Sequence, residues 1–444
     1  MHNNRQPAAP SRWVVVTAGI LVQFCIGVNF AWSAFASPLT KMPYGFSRLQ
    51  TQMIFSAGLV MFALSMAFIS GRVQRRFGPR LTVLAGGLIL GSGYVLAGFS
   101  GTDFLGIFLG AGVLAGLGIG LAYVCPIAIL IRWFPDKKGM ITGFAVAGCG
   151  FGAMLWIMLT GGFKFGEWIN LTPGWNGFYG DGMSPNAIFK LYGLIFISVI
   201  SIGSIFMIYP PKHFALSAAK TNPNSVHPPS SIELTEAQMV RTGQYWILFT
   251  GYAAGTMAGL MVIGIIKLFG VDVLTAKGMP PAKAAVIANT AMGFFYAITN
   301  GLGRIIWGSI SDKLGRKNSI ILMNGSQGIM MLLFYVLGQY EIGLYLGATI
   351  LGFNFGGNFA LFPSAAADYF GVNRVNTNYP KVFLAYGVGG ILGPLLGGWM
   401  GDLKCWAWAF IPCGIVCLAA AALTSRLKPI EQCKGESVCL PISS

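Results

Sequence analysis

The sequence predicts an all-α membrane protein of twelve transmembrane helices arranged as two pseudo-symmetric six-helix bundles. Three observations carry this. The 444 residues are 55% hydrophobic and only 9% charged, with a mean hydropathy of +0.67, whereas soluble domains carry roughly 25% charged residues. Apolar runs of about 20 residues, enough for a helix to cross a bilayer, recur from end to end. Two copies of one loop pattern, GRVQRRFGPR at 71–80 and GSISDKLGRK at 308–317, lie 237 positions apart. A β-barrel would need short alternating segments, and the sequence has none.

The apolar runs fall at 13–37, 51–71, 81–100, 104–131, 140–163, 187–209, 244–268, 284–310, 318–338, 342–367, 379–401 and 404–425. Internal Gly and Pro are compatible with membrane helices. The polar start MHNNRQPAAPSR leads into the first run without a small-residue cleavage site, so that run is expected to be a retained helix. A Pro-, Ser- and Asn-rich linker at 210–243 divides the runs six and six. The expected organisation is a cytoplasmic segment at 1–12, a bundle at 13–209, a cytoplasmic linker at 210–243, a second bundle at 244–425 and a cytoplasmic tail at 426–444. The loop copies follow the second and eighth runs, so the two bundles are parallel repeats about an axis along the membrane normal. Glycines spaced by four (Gly112, Gly116 and Gly120; Gly148 and Gly152; Gly389, Gly393, Gly397 and Gly401) predict close helix packing.

A net charge of +16 is of the kind that binds nucleic acid, but its placement is not. Of 29 Lys and Arg, twenty fall in loops on the side of the termini and eight, Lys267 among them, on the other. This asymmetry predicts cytoplasmic termini in an inner membrane. The eight cysteines show no metal-ligand spacing and are expected to be apolar helix residues. No nucleophile–base constellation appears, so neither an enzyme nor a cofactor is expected.

One basic residue remains: Arg304, inside the eighth run. All thirteen acids lie in loops or at helix ends, and the three histidines lie outside the membrane runs. A charge at the bilayer centre costs roughly 2.5–3.5 kcal/mol. Arg304 lies eight residues before Asp312, about 12 Å along a helix, so snorkelling toward the surface is one reading. The helix face favours another. Asn289, Tyr296, Asn300, Arg304 and Trp307 share about 80° of arc, a polar and aromatic stripe suited to a central cavity. A guanidinium there matches the two oxygens of a carboxylate with two parallel hydrogen bonds.

The loop copies, Gly71, Arg75, Arg76 and Gly78 in the first and Gly308, Asp312, Lys313, Gly315 and Arg316 in the second, resemble the conformational motif of the major facilitator superfamily. The first copy has Arg75 where that family usually has an acid. NFAWSAFASPL (29–39), RRFGPR (75–80), RWFPDKKG (132–139), FNFGGNFALFPS (353–364) and NTNYPKVFLAYG (376–387) are similar to its oxalate/formate antiporter and bacterial monocarboxylate branch. The resemblance implies alternating access around a midplane site lined by Tyr123, Phe355, Phe359, Phe383 and Tyr386, with Tyr296, Asn300 and Arg304. Tyr386 stands where the oxalate exchangers carry a second cation, and Lys381 lies five residues away, so one charge favours a monoanion such as lactate, pyruvate or formate. Asn300 stands where some monocarboxylate carriers have an aspartate. Proton-linked transport is expected, with anion exchange as the alternative. The lack of a membrane-embedded acid argues against a multidrug exporter, and the short tail against a sensor.

Three further expectations concern polar and aromatic residues. Of Gln23 and Asn29, on opposite faces of the first helix, at most one faces the cavity. Asn354 and Asn358 are expected to join helices, with ligand contact as the alternative. Trp168, Trp175 and Tyr179 are expected to form an interfacial aromatic belt, with a lid as the alternative. The protein is expected to act as a monomer in the lipid bilayer.

Overall fold

The computed structural model describes residues 11–134, 138–162, 164–165, 169–170, 176–210, 233–371 and 374–430. Twelve long helices fill these residues: α1 (Arg12–Leu39), α2 (48–78), α3 (79–99), α4 (Phe104–Leu130), α5 (Lys138–Gly161), α6 (Pro185–Ile205), α7 (Gly243–Ala276), α8 (281–314), α9 (Arg316–Leu337), α10 (Glu341–Phe370), α11 (Val375–Asp402) and α12 (Ala407–Thr424). The only strands among the described residues are Lys164–Phe165 and Ile169–Asn170, a short antiparallel pair after α5. The expected all-α architecture holds.

Helix starts are fixed by local chemistry. Ser47 and Gln50 form a reciprocal capping box that opens α2, satisfying two otherwise unpaired amides. Asp103, Ser184 and Thr242 cap α4, α6 and α7 in the same sense, each worth about 1 kcal/mol. Between α2 and α3 the chain turns at Gly78, with φ 77° and ψ 169°. Between α8 and α9 it turns at Gly315, with φ 82° and ψ 157°. That region is essentially restricted to glycine.

By length and apolarity alone, nine spans qualify among the described residues, and one of them, Arg48–Phe99, comprises both α2 and α3. The helices left out, α8 and α10, carry Asn289, Asn300 and Arg304, and Asn354 and Asn358. All five are buried. Their polarity dilutes the hydropathy of helices that hide it from lipid.

Helices α1–α6 pack with one another, as do α7–α12, and the two sets meet where α2 lies against α11, α5 against α8 and the outer part of α1 against α7. The glycine stripes serve this packing. A Cβ on Gly116 would lie 2.2 Å from the carbonyl oxygen of Gly58 in α2, and one on Gly393 2.1 Å from that of Met257 in α7. Across the halves, a Cβ on Gly150 of α5 would lie 2.9 Å from the backbone nitrogen of Gly301 in α8. Below, the terminus side denotes the end of the bundle carrying Arg12 and Thr424, and the far side the opposite end.

Candidate functional site

The close approach of Gly150 and Gly301 sets the centre of the molecule. One turn back on α5 is Val146, and one turn on along α8 is Arg304. Arg304 Nη1 donates to the Val146 carbonyl at 2.6 Å, and Nε donates to Asn300 Oδ1 at 3.3 Å. The guanidinium carbon lies 4.2 Å from the centroid of Phe359 and 5.7 Å from that of Phe30. A desolvated cation over an aromatic face gains about 2 kcal/mol. Arg304 is 3% exposed, and among the described residues no carboxylate pairs with it. Its Nη2, the Nδ2 of Asn300 and the Nε1 of Trp307 are buried without a hydrogen-bond partner. All three are donors, on one face of α8, and one belongs to a full charge. Buried donors without acceptors cost about 1–3 kcal/mol each, more when charged. The local chemistry is short of negative charge.

Aromatic side chains from both halves enclose this face. Phe30 meets Phe355 and Phe359 edge-on at 5.7 and 6.0 Å, Phe359 meets Tyr386 at 5.9 Å, and Phe383 stacks on Tyr386 at 4.8 Å. Phe62 packs against Tyr123, Phe383 and Tyr386. The Tyr123 hydroxyl and the Cys149 thiol lie against the Arg304 guanidinium, and the hydroxyls of Tyr296, Tyr379 and Tyr386 lie near it. Asn29 Nδ2 donates to the Tyr386 hydroxyl at 3.3 Å, tying α1 to α11. The Tyr296 hydroxyl is committed to the Gly259 carbonyl at 2.9 Å, so Tyr296 holds α8 on α7 and presents only its ring to Phe355.

The structure thus gathers Arg304, Asn300, Phe355, Phe359, Tyr386, Phe383 and Tyr123 around one point, with Tyr296 behind them. Sequence reasoning missed Phe30, Phe62 and the Val146 carbonyl. Phe30 was signalled by its place beside Asn29. The Val146 carbonyl, a backbone group, has no sequence signature.

Several expectations need correction. Lys267 is not in a loop: α7 continues to Ala276, and Lys267 is 9% exposed within it. Arg304 is therefore not the sole basic residue inside the helical bundle. Gln23 and Asn29 both point inward, because the helix tightens into a 3-10 turn at Gly27–Ala31 and rotates Asn29 round. Gln23 contacts the Tyr123 carbonyl and the Cys149 thiol. Tyr179 buries its hydroxyl, unlike a belt tyrosine with a wetted tip, while Trp168 and Trp175 lie outside the described residues. Asn354 does join helices, donating to Ser326 Oγ at 2.9 Å, whereas Asn358 donates to carbonyls of its own helix.

Charges close the far side. Arg48 of α2 makes a bidentate pair with Asp272 of α7 at 2.5 and 2.9 Å, and Lys404 adds a third contact at 3.0 Å. The backbone amides of Arg48 and Leu49 donate to Asp402 at 2.7 and 2.9 Å. The halves are fastened there. On the terminus side, Arg316 donates to Asp368 at 2.7 Å and Asp312 at 2.9 Å, and also to Ser311, all within the second half.

A helical bundle of two parallel halves, a buried unpaired cation between them and charged contacts at the ends are the features of a multi-pass membrane transporter. The chain belongs to the Major Facilitator Superfamily, whose defining pattern matches residues 19–379 and 284–434. It is 29% identical over 384 residues to the uncharacterized transporter YhjX of Escherichia coli K12, covering 86% of each chain. It is 26% identical over 421 residues to the oxalate:formate antiporter of Oxalobacter formigenes, covering 94% of this chain and 92% of that one. It is 23% identical to monocarboxylate transporter 13 of Rattus norvegicus, covering 84% and 79%. Its fold is that of a bacterial homologue of the human lysosomal transporter Spinster, crystallised inward-facing, at a TM-score of 0.64 and 17% identity over 94% of this chain and 97% of that one. The protein is a transporter of this type, not an enzyme.

Proposed function

We propose that the protein carries small monocarboxylates such as lactate, pyruvate or formate across the inner membrane, with its termini in the cytoplasm, by alternating access around Arg304. The observation that carries this reading is the buried guanidinium whose Nη2 lacks an acceptor, next to the equally unpaired Nδ2 of Asn300. A carboxylate supplies two acceptors and the missing negative charge at once. The aromatic wall gives such an anion an apolar flank, and the Tyr386 hydroxyl offers one further polar contact. A single charge at this point suits a monoanion. Lys267 does not alter that count, because its partner Asn289 lies fifteen residues from Arg304 on α8, about 22 Å. A carboxylate transporter also fits the oxalate:formate antiporter and monocarboxylate transporter among the relatives.

Coupling to protons is the favoured form, the proton entering with the substrate. Exchange is the second reading, supported by the antiporter whose sequence aligns with 94% of this chain. Uptake of labelled lactate, pyruvate, formate and oxalate into proteoliposomes tests both. A proton gradient is expected to stimulate monocarboxylate uptake; dependence on internal counter-substrate alone would replace symport by exchange. Arg304→Ala is expected to weaken transport roughly 100-fold, the scale for losing one partner of a buried hydrogen-bonded charge pair. It should melt no lower than the wild type, since it removes an uncompensated charge. Arg304→Lys should recover little, lacking the planar fork. Wild-type rates in Arg304→Ala would overturn the site.

A further inference from the structure

Between Arg304 and the far side lies a second buried cation with too few partners. Lys267 is 9% exposed, and its only hydrogen bond among the described residues is a long one, 3.4 Å, to Asn289 Oδ1. Asn289 is itself 6% exposed. No carboxylate lies within salt-bridge distance of Lys267 among the described residues. The neighbouring charge it feels is that of Lys41, another cation. Asp272, five residues along α7, is committed to Arg48 and Lys404. A buried cation with no acid beside it attracts an anion.

The position is also right for the path. Gly161, at the end of α5 in the first half, packs on Asn289, where a Cβ would lie 2.5 Å from Nδ2. The outer part of α1 packs against α7. Lys267 therefore sits at the seam between the halves, behind the Arg48–Asp272 closure and on the same helix, α7, as Asp272. When that closure parts, Lys267 is the first buried charge an entering anion meets.

We propose that Lys267 and Asn289 form a second binding station for a small carboxylate, on the far side of Arg304, which receives the anion as the far-side contacts part and passes it to Arg304. The station rests on the carboxylate reading given above. It separates two tasks: capture at Lys267 by a flexible point charge, and selection at Arg304 by a planar fork.

The experiment compares labelled pyruvate uptake into proteoliposomes by the wild type, Lys267→Met, Lys267→Arg and Asn289→Asp. Lys267→Met keeps the shape and removes the charge; a roughly tenfold rise in KM with Vmax within about twofold is expected, on the scale of one charge-assisted contact. Because the gradients of substrate and proton, not the carrier, fix the equilibrium, Vmax/KM in the opposite direction should fall by the same factor at equal pH on the two sides. Lys267→Arg should stay within about threefold of the wild-type KM. Asn289→Asp places an acid beside the intact lysine and should raise KM as Lys267→Met does, which keeps the test decisive if Lys267→Met does not fold. Wild-type KM in Lys267→Met, or in Asn289→Asp where Lys267→Met is not folded, overturns the station alone. No pyruvate, lactate or formate uptake by the wild type overturns the carboxylate reading and the station with it.

Discussion

The two loops after α2 and α8 share a backbone and differ in charge. Gly78 and Gly315 adopt nearly the same conformation, φ 77° and ψ 169° against φ 82° and ψ 157°, and a Cβ on either would meet nothing within 4 Å. Glycine is required there by the turn, not by space. The charges diverge around that common turn. In the second half Arg316 gathers Asp312 and Asp368. At the corresponding positions of the first half, 237 residues earlier, stand Arg75 and Pro79 for Asp312 and Arg316, and RWFP at 132–135 aligns Arg132 with Asp368 of DYFG. Arg132 lies over the ring of Tyr209 at 4.3 Å. The second half fastens its own loop by ion pairs; the first presents a row of positive charge. Fold and charge in this motif are therefore separable, one imposed by the chain's need to reverse, the other free to diverge.

The largest expected effects test the shared part. Gly78→Ala and Gly315→Ala should each destabilise the protein by roughly 1–3 kcal/mol, and by similar amounts, as read from thermal melting in detergent. A marked inequality would break the equivalence of the two turns. Next comes the unequal part. Arg316→Gln should cost about 1 kcal/mol after solvent screening, because Asp312 is 70% exposed and Asp368 38% exposed, and the loss should shrink at high salt. Arg75→Gln should cost nothing measurable, and an equal cost would show that the first loop is fastened too. Arg75→Asp should likewise stay within about 0.5 kcal/mol, since Pro79 offers no base one turn on.

Much of this was legible in the sequence because the bilayer imposes coarse rules. The helices follow from the need for about 20 apolar residues, and the halves from the repeated loop. Arg304 stood out by elimination, and its stripe with Asn289, Tyr296, Asn300 and Trp307 is buried as the 100° spacing implied. The lysine in α7 was misplaced because it stands at the end of the apolar run drawn at 244–268, whereas the helix continues to Ala276, and only its neighbours show that it turns inward. Asn29 was hidden by the 3-10 turn, which shifts its direction away from that of a regular helix. Contacts that depend on a change of helical pitch, or on a backbone atom, leave no pattern in residue types.

The bond from Arg304 to Val146 has such an acceptor. Every amino acid placed at position 146 would still carry that carbonyl, so a mutational screen, which varies side chains, is blind to half of the contact. Its length depends instead on Gly150 and Gly301: a methyl group on Gly150 would meet the backbone of Gly301 at 2.9 Å, and one on Gly301 would press on the ring of Phe151 at 3.3 Å. The inheritance of this one hydrogen bond is written in two residues that have no side chain at all.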